Sequence, residues 1–152
     1  MAKRFTREEI KQRFQASIDA GQPIVVASAG IGIAAKFAER GGADMIGLFN
    51  SSYLGLGRVE ATSLMPYGNA NDIVMSLGDR IFPVVQNTPI LGGIIGSDPT
   101  REMTPFLKIM QFKGFPAVIN FPSPGFAYGQ HRRNLERNNY GVQQELKTLR
   151  TA

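Results

Sequence analysis

The sequence contains no cysteine and a single histidine among its 152 residues. Without cysteine the chain has no disulfide scaffold, no cysteine-ligated zinc finger and no thiol nucleophile. One histidine excludes a metal site built from several histidines. No apolar run approaches the roughly 20 residues that a membrane helix needs, and the charged start is unlike the apolar core of a signal peptide. We therefore expect a soluble, cytoplasmic protein with no membrane partner.

Hydrophobic residues make up 43% of the chain and charged residues 19%, which is typical of a globular domain and excludes a disordered chain. The net charge is +5, and residues 1–13 and 130–152 each contribute +3. We interpret these basic ends as two solvated helices, because no nucleic-acid motif or aromatic interleaving accompanies them. Nucleic acid is therefore a disfavoured partner.

The alternation of apolar segments and turn-forming residues along the chain predicts a helix followed by four strand–helix units. Thr6 and Glu9 have capping-box spacing, so an N-terminal helix is expected over 6–20, and the four units follow over 23–152. The predicted strands are 24–27, 43–49, 89–96 and 117–121. The last predicted helix is 143–149, with Leu146 and Leu149 as its apolar residues.

Alternating strands and helices indicate a parallel α/β sheet, either doubly wound and open or part of a (β/α)8 barrel. The run at 24–27 is continuously apolar, which is typical of a strand covered on both faces. In either architecture, ligands bind at the carboxyl ends of the strands.

Four small, polar turns follow the predicted strands, at 28–32, 50–52, 96–99 and 120–123. Exposed N–H groups and hydroxyls in such turns suit a small, oxygen-rich anion, although the same residues are also common in ordinary turns. Gly30 and Gly32 lack the third glycine of a dinucleotide fingerprint and the lysine of a P-loop.

Asp98 is the one acidic residue among these turns. It could hold Mg²⁺, act as a base, or cap the following helix. Glu60 is a second candidate carboxylate, and we interpret His131 as a surface residue. The loop at 53–68 is either a lid over the site or a rigid structural loop.

Several segments occur together in a recognisable order, at 29–32, 41–44, 50–51, 65–71, 88–93, 97–99 and 120–122. The most distinctive is 65–71, which reads MPYGNAN. In these segments the chain resembles the phosphoenolpyruvate hydrolase-like TIM-barrel family, which is related to phosphoenolpyruvate mutase and isocitrate lyase. A (β/α)8 barrel takes about 250 residues, so the resemblance implies the first half of one. The chain is then a fragment, a pair of associating copies or an open sheet.

The resemblance also implies a site. Its candidate substrate-binding residues are Ser28, Gly30, Gly32, Asn50, Ser51, Tyr67, Asn69 and Asn120. Asp98 is the candidate catalytic residue and the candidate ligand of Mg²⁺, which the relatives hold at the barrel mouth.

Two functions remain open at this point. The first is an enzyme, a hydrolase or lyase acting on a small 2-oxo or enol acid, with a small anionic metabolite as its partner and Mg²⁺ as its cofactor. The second is a non-catalytic binding or signalling module that acts through protein–protein association, and we expect the chain to form a homo-oligomer.

Overall fold

The computed structural model describes residues 3–54 and 68–152. Four strands form one parallel sheet: β1 Val26–Ser28, β2 Met45–Leu48, β3 Ile90–Ile94 and β4 Ala117–Asn120. Their spatial order is β1-β2-β3-β4, the order along the chain. A doubly wound sheet reverses its strand order at a switch point. The uninterrupted order therefore favours the barrel over the doubly wound alternative.

Six helices are present in the described residues: α1 Arg7–Asp19, α2 Gly32–Arg40, α3 Ala70–Ile81, α4 Met103–Lys113, α5 Gly129–Arg137 and α6 Val142–Leu149. Short 3-10 turns follow β2 at Asn50–Leu54 and β4 at Pro124–Phe126. Within 3–54 and 68–152, no helix has the length and apolar character needed to cross a bilayer.

The capping box predicted at the start of α1 is confirmed. The Thr6 hydroxyl accepts a hydrogen bond from the Glu9 N–H at 3.2 Å, and the Thr6 N–H donates to Glu9 Oε2 at 2.7 Å. These two bonds satisfy donors that would otherwise be unpaired at the helix end. At the other end, Gly21 has a φ of 67°, which ends the helix as its sequence position predicts.

The sheet has two different faces, because side chains alternate along each strand. On the helix face, Ile46, Leu48 and Ile94 belong to a large buried core that includes side chains of α3 and α4. On the other side, which we call the inner face, Met45 and Leu91 form a smaller cluster with Ile10 of α1. Helix α1 therefore covers part of the inner face rather than joining the outer helix layer.

The prediction that the first strand is covered on both faces is wrong. β1 lies at an edge of the sheet, and Ile24, Val25 and Val26 are 38, 49 and 46% exposed. Continuous apolar sequence is common to buried central strands and to this edge strand. Only the position of a strand in the sheet decides between them.

Candidate functional site

Polar side chains gather at the carboxyl edge of the sheet in three groups. We call them the serine pair (Ser28 and Ser52), the Asp98 cluster (Asp98, Asn69, Asn71, Thr100 and Arg101) and the Glu145 cluster (Glu145, Asn120 and Ser123). Each group holds a turn in place through hydrogen bonds between its own members.

The serine pair lies where β1 and β2 end. Ser28 is paired in register with Gly47, and its Oγ lies 2.8 Å from Oγ of Ser52, so that either hydroxyl can donate. Ser52 is buried, whereas Ser28 is exposed. A Cβ at Gly30 would overlap the Ser52 carbonyl oxygen, so only glycine permits this close approach. The pair therefore presents one oriented hydroxyl to solvent.

The remaining candidates near β1 and β2 lie apart from this pair or beneath the surface. Gly32 begins α2, and its neighbours are Val84 and the carbonyl of Arg80. Asn50 and Ser51 are 4% and 2% exposed, in the turn that packs against α3. The Ser51 hydroxyl has no hydrogen-bond partner among the described residues. Tyr67 and Glu60, together with most of the 53–68 loop, lie outside the described residues.

Asp98 is buried at the centre of a ring of donors. Its Oδ1 accepts from the N–H and the hydroxyl of Thr100, at 2.9 and 2.6 Å. Its Oδ2 accepts from the side-chain amides of Asn69 and Asn71, at 3.0 and 2.9 Å. Arg101 Nε lies 2.6 Å from Oδ2 as an ion pair, at an angle outside hydrogen-bond geometry. The structure thus brings two predicted site residues, Asn69 and Asp98, into direct contact.

These donors explain the charge state of Asp98. Burial alone would raise the pKa of its carboxyl, but hydrogen bonds from Thr100, Asn69 and Asn71 outweigh burial and hold the pKa well below its usual range. The same cluster ties two elements together, because Asn71 at the start of α3 also donates to the Ile95 carbonyl and accepts from its N–H. Asn69 caps α3 by accepting from the Asn71 N–H.

The described residues do not fit a magnesium ion. Mg²⁺ requires oxygen ligands with free lone pairs in a near-octahedral arrangement. Both oxygens of Asp98 face N–H and O–H donors and a guanidinium. Over 3–54 and 68–152, no group of three or more Asp, Glu or His side chains converges.

Glu145 is an acidic residue that sequence reasoning missed. It is fully buried on α6, where Oε2 accepts from Asn120 Nδ2 at 3.2 Å and from Ser123 Oγ at 2.9 Å. Its Oε1 has no hydrogen-bond partner in the described part of the chain. Burial raises the pKa of this carboxyl, against the lowering effect of the Ser123 and Asn120 hydrogen bonds.

The orientation of α6 explains why Glu145 was missed. The apolar residue Leu146 is 40% exposed, while Glu145 and Thr148 face the sheet, and Thr148 donates to the Gly96 carbonyl at 2.5 Å. Leu146, one of the two apolar residues of the predicted helix, therefore does not mark the face of α6 that meets the sheet. A polar inward face is stable here because β4 and the turn after β3 supply hydrogen-bond partners.

Asn120 lies away from the inner face. It pairs in register with Ile94, whose side chain is in the core of the helix face, and its amide reaches Glu145 on the same side. Ser123, three residues further along the chain, lines a cavity of about 550 Å³ between the end of β4 and α5. The walls of this β4 cavity include Phe121, Ser123, Phe126, Tyr128, His131 and Leu135.

Comparison with solved structures supports the barrel geometry. The fold is similar to that of 2,3-dimethylmalate lyase, a member of the PEP mutase/isocitrate lyase superfamily, with a TM-score of 0.50 and 12% identity. The similarity covers 91% of this chain and 49% of the lyase chain. The prediction of four parallel strand–helix units matching the first half of a (β/α)8 barrel is confirmed at the level of fold.

Curated relatives include two proteins of Solanum lycopersicum. The ToMV susceptible protein tm-1(GCR26) and the ToMV resistance protein Tm-1(GCR237) are each 40% identical to the chain, over 94% and 96% of its length. A putative transcriptional regulatory protein, y4pA of Sinorhizobium fredii (strain NBRC 101917 / NGR234), is 34% identical over 96% of the chain. The chain spans only 19, 20 and 24% of these relatives' own lengths.

The sequence profile of one family matches residues 9–152, nearly the whole chain. All the segments that carried the sequence resemblance lie within that range. The profile and the lyase-like fold together confirm the resemblance. The chain belongs to the phosphoenolpyruvate hydrolase-like family.

Proposed function

We propose that the chain binds a small carboxylate or enol-phosphate acid at the carboxyl edge of its sheet. The observation that carries the proposal is the serine pair, an exposed hydroxyl oriented by a buried one at the end of β1. Enzymes with (β/α)8 barrels bind their substrates at this end of the strands. Family membership favours an acid of the phosphoenolpyruvate type as the ligand.

The chemistry of the serine pair suits an anion. The Ser28 hydroxyl can donate to a carboxylate or phosphate oxygen while Ser52 donates to Ser28, so both hydroxyl protons are used. Hydrogen bonds to charged groups contribute about 1.5–3 kcal/mol. The net charge of +5 also favours the approach of an anionic ligand.

Hydrolysis or lyase-type cleavage of the bound acid is the reaction class that we propose. Members of the superfamily typically use Mg²⁺, but the described residues of this chain do not fit that ion. We assign Asp98 a positioning role, since its carboxylate fixes the turn after β3 against the start of α3. Asn120 has a comparable role toward Glu145.

Titration calorimetry with phosphoenolpyruvate and with pyruvate tests the binding proposal. We expect Ser28→Ala to weaken binding of whichever acid binds by at least about ten-fold. Ser76→Ala is the matched control, because Ser76 is an exposed serine on α3. Absence of binding by the unaltered chain, or equal affinities for the Ser28→Ala variant and the unaltered chain, would refute the proposal.

A second candidate function, association with another protein chain, is favoured by exposed apolar side chains at the two edges of the sheet, β1 and β4. Val25 and Val26 on the β1 side and Ile119 on β4 are 49, 46 and 40% exposed. Unpaired strand edges of this kind are templates for association. The tomato relative is named for resistance to ToMV and the Sinorhizobium relative for transcriptional regulation.

Sedimentation equilibrium tests the second candidate. Association through the β1 edge predicts a concentration-dependent dimer of the chain that Val26→Lys dissociates. Phe112→Lys on α4, a residue that is 78% exposed, is the control and should leave the dimer intact. A monomer at all concentrations would remove self-association from consideration.

A further inference from the structure

The inner face of the sheet carries exposed apolar side chains at both of its edges. Among the described residues, β1 and β4 each have a neighbouring strand on one side only. Val26 on β1 is in register with Met45, and Ile119 on β4 is in register with Gly93, so both project from the inner face. They are 46% and 40% exposed, because α1 covers this face only near the amino ends of the strands, where it packs against Met45.

Helix α2 has an apolar flank that points past the β1 edge. The Glu39 carboxylate accepts hydrogen bonds from the N–H groups of Gln86 and Asn87, just beyond α3, so this side of α2 faces α3. At 3.6 residues per turn, Phe37 lies about 160° around the helix from Glu39, on the side away from α3. Ile33, four residues earlier, shares that flank. Ile33 and Phe37 are 63% and 58% exposed.

Helix α6 has a corresponding flank that points past the β4 edge. Thr148 donates to the carbonyl of Gly96, which follows β3, so this side of α6 faces β3. Leu146 lies about 160° around the helix from Thr148, on the side away from β3, and is 40% exposed. Val142, four residues earlier, shares the flank. The apolar flanks of α2 and α6 therefore extend the two apolar edges of the sheet into the helix layer.

The exposed apolar area at these edges suits a stable dimer. Phe37 on α2, and Phe126 and Tyr128 after β4, are 58, 75 and 87% exposed. An aromatic side chain buries about 150–250 Å², so these three offer on the order of 400 Å² per copy. That is about half of the roughly 800 Å² that each partner contributes to a standard interface. The paired strand edges, with Val26 and Ile33, add to this area.

Resting on the second candidate function, we propose that a second copy of the chain covers both edges, and that two copies form one closed barrel of eight parallel strands. A two-fold axis along the strand direction places β4 of one copy parallel to β1 of its partner, and α6 beside the partner's α2. The strand order then continues without interruption from one copy into the next. Four strands are half of a (β/α)8 barrel, so two copies close the ring and leave no free strand edge.

This arrangement also encloses the proposed ligand site. Ser28 lies on β1, so the partner's β4 becomes its neighbour, and the serine pair lies inside the mouth of the barrel. The exposed side chains of Val26 and Ile119 both project into the barrel interior, which in eight-stranded barrels is filled by side chains. Dimer formation is measured without a ligand, so the inference can be tested separately from acid binding.

Sedimentation equilibrium with opposite charges on the two flanks provides the test. Phe37→Lys and Leu146→Glu should each raise the dimer dissociation constant at least about 100-fold, because every dimer carries the change twice. An equimolar mixture of the two variants should dimerise again, since one α2–α6 contact is unaltered and the other joins the introduced lysine to the introduced glutamate. Phe112→Lys and Ile109→Glu on α4, at positions 78% and 56% exposed, are the matched controls and should leave the dimer intact.

The outcomes separate this inference from the candidate functions. Association through two β1 edges does not involve α6, so a dimer that Leu146→Glu leaves intact overturns the inference while self-association stands. A mixture of the two charged variants that stays monomeric also overturns it. If the unaltered chain is a monomer at all concentrations, the inference and self-association both fail, and acid binding at the carboxyl edge is unaffected. Circular dichroism of each variant shows that it is folded.

Discussion

Replacing Asp98 by asparagine distinguishes a positioning role from a catalytic or metal-binding one. Asp98 has a side chain that is only 2% exposed and accepts four hydrogen bonds in addition to its ion pair with Arg101. Asparagine has nearly the same shape but carries no charge, and its NH₂ group would face other donors. The substitution should therefore destabilise the fold as well as alter the site.

The expected magnitude follows from burial. Breaking a buried ion pair by removing one partner costs about 3–5 kcal/mol. Arg101 keeps its pair with Asp72, so the loss here falls mainly on the Asn69, Asn71 and Thr100 groups that donate to the Asp98 carboxylate. For a domain of this size, each kcal/mol lowers the Tm by about 2–4 °C, so the Asp98→Asn variant should melt about 10 °C lower.

Asp72→Asn is the matched control. Asp72 also pairs with Arg101, at 3.0 Å, but its side chain is 69% exposed. An exposed pair contributes about 0–1 kcal/mol, so the control should melt within a few degrees of the unaltered chain. Thermal unfolding followed by circular dichroism measures both variants. Equal melting temperatures for the two variants, or a more stable Asp98→Asn variant, would refute the positioning role, since loss of a purely functional carboxylate leaves the fold unharmed.

Two further predictions concern Glu145 and Gly30. Burial raises the pKa of Glu145 above its ordinary value of 4.5, so the native state keeps this proton to higher pH than the unfolded state does. The free energy of unfolding of the unaltered chain should therefore fall, relative to that of the Glu145→Gln variant, as pH rises from 4.5 through the native pKa. Urea titrations at several pH values measure both free energies. A difference between the two proteins that does not change with pH would contradict the prediction. Gly30→Ala should cost about 1–3 kcal/mol or more, because its Cβ overlaps the Ser52 carbonyl oxygen. Gly41→Ala, whose nearest new contact is 3.2 Å, should cost less in the same thermal assay.

Local sequence signals predict where α1 begins and ends and that the strands are parallel. Thr6 and Glu9 placed the start of α1, and Gly21 placed its end, because capping and positive φ are decided within a few residues. Alternating strand and helix patterns likewise indicated a parallel sheet. Right-handed crossover connections leave few other arrangements for such a pattern.

The candidate site was predictable in position but not in contacts. The order of strands and helices placed Ser28 and Asp98 at the same edge of the sheet, whereas Asn69 was a candidate only through the family resemblance. Sequence could not foresee that donors would surround Asp98, since Asn71 and Arg101 reach it from different elements. Whether these candidates contact a ligand stays a prediction that the proposed titrations test.

The sequence by itself determined the element order, the parallel sheet and the polar carboxyl edge, because these depend on local periodicity, caps and connection rules. Only the tertiary structure decided which apolar and polar residues are buried. Val26 is exposed because β1 is an edge strand, and Glu145 is buried because Asn120 and Ser123 meet it across α6. Burial depends on partners that are distant in sequence. Asn120 and Ser123 stabilise a carboxylate inside the protein, whereas the edge position of β1 keeps Val26 exposed.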